Sequence, residues 1–163
     1  MKTPLFIDQA LLDTLSLEAK LNPRRRKNRN FHESDADLAH RLLNAIEPGS
    51  YVMPHRHLDP GKDETMIVLR GKLGVLFFDD AGQLTQSAIL AADGTRCGVT
   101  IPHGVYHTVF ACQPGTVIFE AKGGPYLPLS ADERAPWAPG EGEPGADAYA
   151  RSLCGLLGSF GGC

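Results

Sequence analysis

His55 and His57 stand one residue apart in "PHRHLDPGKDE", and Glu64 closes that stretch seven positions after His57. A fourth candidate, His107, follows the turn in "IPHGVYH". An H-x-H pair on an extended strand directs both side chains to one face, because successive side chains alternate. If that face is the interior of a barrel, two imidazoles converge on its cavity. A hairpin then brings the Glu64 carboxylate across from them, and His107, opening another strand, adds a third imidazole. Three imidazoles and one carboxylate, with no sulfur, form a borderline donor set. It suits one divalent ion of Zn, Fe, Mn, Ni, Co or Cu better than a soft-metal cluster. Four protein ligands leave positions open on a metal that prefers five or six, where a substrate oxygen is polarised or O₂ is bound. The competing account is a polar surface turn that happens to contain histidines, and an isolated H-x-H is a weak signal. Against it, four of the six histidines fall in two segments, each beside a Pro/Gly turn.

Other residues could act on a substrate. In "TVIFEAKGGPY", Glu120 and Lys122 share one face of a strand, and Val117, Phe119 and Ala121 share the other. With the charged face inward, Glu120 is a candidate acid or base and Lys122 neutralises an anionic substrate. With the apolar face inward, both charges are solvated, and alternation alone favours that arrangement. Tyr51 shares the expected face of His55 and His57, with Met53, and could donate a hydrogen bond there. In "RRRKNRNFH", an extended chain lines up Arg24, Arg26, Asn28, Asn30 and His32 on one side. That side could grip a phosphate, a sugar diphosphate or a carboxylate through bidentate Arg contacts. The plain alternative is a solvated basic linker.

Two N-terminal helices are expected. Asp8 caps the first, whose apolar positions are Leu11, Leu12, Leu15 and Ala19, and Pro23 closes it. The second follows "HESD", with Leu38, Leu42, Leu43 and Ile46 on one face, and stops at Pro48-Gly49. His40 is then a helix-surface residue and His103 a turn residue. From Ser50 to Lys122 seven short runs alternate with turn residues: "SYVMPHRH", "TMIVLR", "KLGVLFF", "QLTQSAIL", "CGVTI", "YHTVFAC" and "TVIFEAK". That spacing predicts an antiparallel sandwich or barrel. Beyond Leu129 the composition turns to Pro, Gly, Ala and acidic residues, as in an extended wrap, with Trp137 anchoring it to the barrel. The end, "AYARSLCGLLGSFGGC", suggests a short helix and a frayed Gly-rich tail. The chain thus divides into residues 1–48, a helical and basic segment packed on the barrel, 49–129, the barrel, and 130–163, the C-terminal segment.

The stretch from Gly49 through His55, His57 and Glu64 to Gly71 resembles the first motif of the cupin superfamily, and Pro102-His103-Gly104 with His107 resembles the second. More narrowly, "PRRRKNRNFH", "RLLNAIEPGSYVMPHRH", "VLRGKLGVLFFDDAG", "IPHGVYHTVFACQPGTVIFEAKGGPY" and "APWAPGEG" are similar to the WbuC-type cupin metalloproteins. The resemblance implies an all-β jelly-roll barrel, one divalent metal on His55, His57, Glu64 and His107, and pairing as a homodimer. WbuC-type proteins are associated by name with surface-polysaccharide gene clusters, which implies a sugar-derived ligand. The chain departs from the cupin pattern in three places. Six residues separate His57 from Glu64, more than the pattern has, so the loop must bulge; Asp59 and Asp63 are substitute candidates, but Glu64 is preferred because its distance to Gly71 fits and it starts a strand. Arg96 replaces a glycine, and Ala111 replaces a frequent Asn.

With 163 residues, 42% of them apolar, and a net charge of −3, nothing global points to nucleic acid or an anionic membrane. The basic run lacks the aromatic platform of a single-strand binder. The N-terminus has no clean apolar h-region and no stretch is long enough to span a membrane, so a cytoplasmic protein with free thiols is expected. Three functions remain open: an enzyme on a small polar or anionic molecule such as a sugar or sugar nucleotide, a metal-anchored binding module, and an assembly partner with a vestigial site.

Overall fold

The computed structural model describes residues 3–157. Helix α1 (Gln9–Leu21) forms as expected: the Asp8 side chain accepts a hydrogen bond from the Leu11 amide at 2.9 Å, and the helix ends at Asn22 before Pro23. Leu12, Leu15 and Ala19 form its buried stripe.

The second expected helix does not exist. The chain runs as strand β1 (Arg26–Asn30), then β2 (Ala39–Ile46), paired antiparallel with Arg26 opposite Ile46. Both faces of β2 are covered. Leu43 and Ala45 pack with Val117 under α1, while Ile46 joins the barrel interior. A strand buried on both faces loses its apolar alternation, and its leucines then imitate helical spacing. His40 is accordingly a buried strand residue, not a helix-surface one.

Six of the seven expected strands follow: β3 (Glu64–Arg70), β4 (Lys72–Phe78), β5 (Leu84–Ala91), β6 (Gly98–Ile101), β7 (Tyr106–Ala111) and β8 (Thr116–Gly123). The stretch "SYVMPHRH" is the exception, pairing only through isolated bridges at His55. Two antiparallel sheets result, in the orders β1-β2-β8-β3-β6 and β5-β4-β7. They face each other across a core of Ile46, Met66, Val68, Leu73, Val75, Val109 and Ile118, giving the jelly-roll barrel of the cupin kind.

Each sheet is covered on its outside. Helix α1 lies on the larger one, tied down by Arg70, which reaches the Asp13 carboxylate and the Leu12 carbonyl. The C-terminal segment wraps the smaller one. Trp137 packs on Tyr106 (ring centroids 4.8 Å apart) and on Gly82, where any Cβ would strike the indole. Helix α2 (Ala146–Gly155) then buries Ala146 and Leu153 against Leu76, Phe78 and Phe110. The frayed tail expected after it falls at 158–163, outside the described residues. Cys97 is exposed and free. No helix among the described residues is long and apolar enough to cross a membrane.

Candidate metal centre

The histidines are positioned by backbone pairing. The His55 amide donates to the His107 carbonyl (3.0 Å) and the His107 amide donates back (2.9 Å), so the two residues stand directly opposite one another. On its other side, the segment is gripped by the C-terminal wrap: the Arg56 amide donates to the Glu133 carbonyl and the Ala135 amide to the Pro54 carbonyl. His57 is fixed by the turn before β7, where the Gly104 amide donates to its carbonyl at 2.7 Å. The three imidazoles cluster, with centroids 4.7 Å apart for His55 and His107, 5.4 Å for His55 and His57, and 6.3 Å for His57 and His107.

Glu64 begins β3 and is almost fully buried at 2% exposure. Its Oε2 lies 3.1 Å from His107 Nε2 and 3.9 Å from His57 Nε2. The ligand atoms that His55, His57 and Glu64 offer all lie within 4.8 Å of one another, so this group could hold a metal ion. Neither substitute ligand from the long loop is there: Asp63 pairs with His103 and Asp59 accepts from the Gly61 amide.

The donor chemistry fits a cation. Nδ1 of His55 contacts the Met53 carbonyl and Nδ1 of His107 the Val105 carbonyl, each at 2.9 Å. A carbonyl only accepts, so both Nδ1 atoms carry protons and each ring turns Nε2 toward the cluster, the arrangement of metal-ligating histidines. The Nε2 of His57 is buried without any hydrogen-bond partner. Burial, reinforced by neighbouring His107, pushes the His55 imidazole down to about 3, and burial also lowers His57 against the pull of Glu64. For Glu64, burial favours the neutral acid, but His107, Lys122 and Glu120 outweigh it and hold the carboxyl well below its usual range. Imidazoles kept from protonation, as burial does for His55 and His57, beside an ionised carboxylate are what a divalent ion requires.

Glu120 and Lys122 face inward, against what alternation favoured. The apolar face of β8, Val117 and Phe119, is occupied too, but by the cluster under α1. Across β2, β8 and β3, His40, Lys122 and Glu64 stand side by side, with Leu42, Glu120 and Met66 in the next row. Lys122 Nζ lies 2.7 Å from Glu120 Oε1 and 3.1 Å from Glu64 Oε1. Burial and the nearby Glu64 charge raise the Glu120 carboxyl to about 7, against the opposing effect of Lys122. Burial disfavours the Lys122 charge, yet the two carboxylates outweigh it and hold the ammonium above its ordinary value.

A cavity of about 300 Å³ opens from His55, Glu64 and His107 past Glu120 and Lys122 to Arg24, Arg26, Asn28 and Asn44. Both arginines are already engaged. Arg24 grips Glu141 bidentately (2.7 and 2.9 Å), and Arg26 reaches the same carboxylate at 2.6 Å and the Tyr51 carbonyl at 2.8 Å. Asn30 and His32 line a neighbouring pocket shared with Asn28, Glu120 and Lys122. Tyr51 does not face the site. Pro54 and the lack of a regular ladder break the alternation, so Val52 lines the cavity while the Tyr51 hydroxyl donates to the Pro139 carbonyl and its ring packs near Tyr149. Sequence reasoning missed Asn44 and His40, although His40, Leu42, Asn44 and Ile46 form a period-two row that marks a strand.

Solved structures share the fold. KdgF from Halomonas sp. superposes with a TM-score of 0.50 at 14% identity, over 64% of this chain and 83% of that one. The SPY1581 protein of unknown function from Streptococcus pyogenes gives 0.52 at 11% identity, over 78% and 93%. A cupin-2 domain containing protein from Shewanella frigidimarina is 26% identical over 60% of this chain and 79% of that one, with a TM-score of 0.45. Among curated proteins nothing matches the sequence. One family model, described as a domain of unknown function (DUF6016), matches residues 7–90. That span is just over half of the sequence, and the chain belongs to that family.

Proposed function

We propose that this protein binds one divalent transition metal through His55, His57, Glu64 and His107 and acts on a small polar or anionic metabolite such as a sugar or sugar nucleotide. The observation that carries the reading is the contact between His107 Nε2 and Glu64 Oε2. With Nδ1 committed to the Val105 carbonyl, Nε2 is the ring atom left to meet the carboxylate oxygen 3.1 Å away. The two atoms are held at that separation by a cation between them, a proton on Nε2 or a metal ion. The unpartnered His57 Nε2 adds a third donor atom to the same spot.

A bound metal of this type supplies Lewis acidity toward a carbonyl or hydroxyl oxygen, or a position for O₂. Glu120, with its carboxyl near 7, holds or releases a proton at working pH, which suits isomerisation or epimerisation. Lys122 keeps positive charge beside it, and Asn28 and Asn44 offer amides to hydroxyl groups along the cavity. The WbuC-type stretches support a sugar-derived ligand, and a homodimer belongs to the same reading.

The test is Glu120→Gln, assayed by mass spectrometry against a panel of nucleotide sugars and sugar phosphates. The enzyme reading expects metal content at the wild-type level with product formation lost; undiminished turnover contradicts it. A binding module is favoured by one feature, the closed Glu120–Lys122 pair, which already satisfies both charges. Ligand capture by the wild type with no product would decide for that reading.

A further inference from the structure

The loop between His57 and Glu64 is longer than in the cupin pattern, and its extra length delivers Lys62. Asp59 to Lys62 form a turn in which the Lys62 amide donates to the Asp59 carbonyl at 2.9 Å and the Gly61 amide to Asp59 Oδ1 at 2.8 Å. The turn presses onto the end of β8, where a Cβ on Gly123 would collide with the Gly61 carbonyl oxygen. Glycine at 123 is what allows the loop this close, and Lys62 is thereby folded inward to 9% exposure. Lysine is almost never this buried without a partner. Lys122 has two carboxylates, yet among the described residues no carboxylate pairs with Lys62 and no side-chain hydrogen bond engages it.

Lys62 lines a pocket of about 190 Å³ together with His40, His55, His57, Lys122 and Tyr126. One of these neighbours outside the metal set is unsatisfied as well. The Nε2 atom of His40, which is 4% exposed, is buried with no hydrogen-bond partner. A largely enclosed lysine without a partner and an orphaned ring nitrogen around one small space favour an anionic group that fills it.

We propose that this pocket seats an anionic group of the ligand, a carboxylate or a phosphate, with Lys62 as the residue that selects for it. Its place next to His55 and His57 rests on the metal-centre reading, whereas its charge requirement does not. Lys62 presents three donors to anionic oxygens, and His40 completes the pocket wall from β2. The cupin-like loop is lengthened because a charge had to be brought to this point.

The experiment is calorimetric titration of the full chain with inorganic phosphate and, separately, acetate, on metal-stripped and Zn-loaded protein. Wild type is compared with Lys62→Met and Lys62→Arg, with metal content measured in each. The inference expects wild type to bind at least one probe and Lys62→Met to weaken it by at least about tenfold, the loss of one charged hydrogen bond. Lys62→Arg should stay within about threefold, and metal content should be equal in all three. The tighter probe identifies the group as phosphate or carboxylate. Without anion, Lys62→Met should melt no lower than wild type, because the lysine has no partner to lose. Equal affinity in wild type and Lys62→Met, or no binding of either probe to wild type, overturns the inference. Lys62-dependent anion binding by a protein that holds no metal would keep the pocket and discard the metal centre. Metal retention with anion binding indifferent to Lys62 would do the reverse.

Discussion

Glu64 Oε2 and His107 Nε2 lie 3.1 Å apart, and the other nitrogen of that ring already donates to the Val105 carbonyl. A cation must join the two atoms, and its kind separates the cases: a proton on Nε2 makes a polar cluster, a metal ion makes a metal centre. Glu64→Gln tests it. An amide N–H at that position donates to His107 Nε2 and satisfies it, so metal-free Glu64→Gln should melt no lower than metal-free wild type. Its metal affinity should fall by more than about tenfold. Retention of wild-type affinity would mean that Glu64 is not a ligand.

A second prediction concerns the wrap over the cavity mouth. Glu141 is partly buried, which favours its neutral form, but Arg24 and Arg26 outweigh that and lower its carboxyl below the ordinary value. The folded state then holds its proton less tightly than the unfolded chain, so stability is gained above the unfolded value of about 4.3 and lost as pH falls through the folded one. Arg24 is 61% and Glu141 35% exposed, so screening limits the effect to about 1 kcal/mol or less. Thermal melts of wild type and Glu141→Gln should differ at pH 7 and converge under acid.

Leu15 is 3% exposed between α1 and the outer face of the larger sheet. Leu15→Ala should cost about 2–5 kcal/mol in chemical denaturation. Metal stoichiometry of the folded protein should not change, since α1 contributes no residue to the centre. A loss of metal without loss of stability would show that α1 shapes the site.

The strands from β3 to β8 were legible because turn residues separate short runs, and the His55, His57 and Glu64 group because its members flank those turns. What failed did so for identifiable reasons. The buried faces of β2 hid its period, since α1 covers Leu43 and Ala45 from outside. The same cover explains Glu120 and Lys122: alternation assigns an apolar face to the core, but here Val117 and Phe119 serve a second core under the helix. Tyr51 was misplaced by assuming a regular strand through Pro54. The Arg24–Glu141 pair spans 117 positions, and no local pattern announces such a contact. The lengthened loop was visible, but its purpose depended on Gly123 at the far end of β8.

The most direct test is metal content, by plasma mass spectrometry, of untagged protein purified without chelator and of its His55→Ala/His107→Ala double variant. The account predicts near-stoichiometric divalent metal in the wild type and its loss in a variant that remains folded by circular dichroism. Metal absent from both proteins after reconstitution with Zn, Mn and Fe, or equal in both, would contradict it.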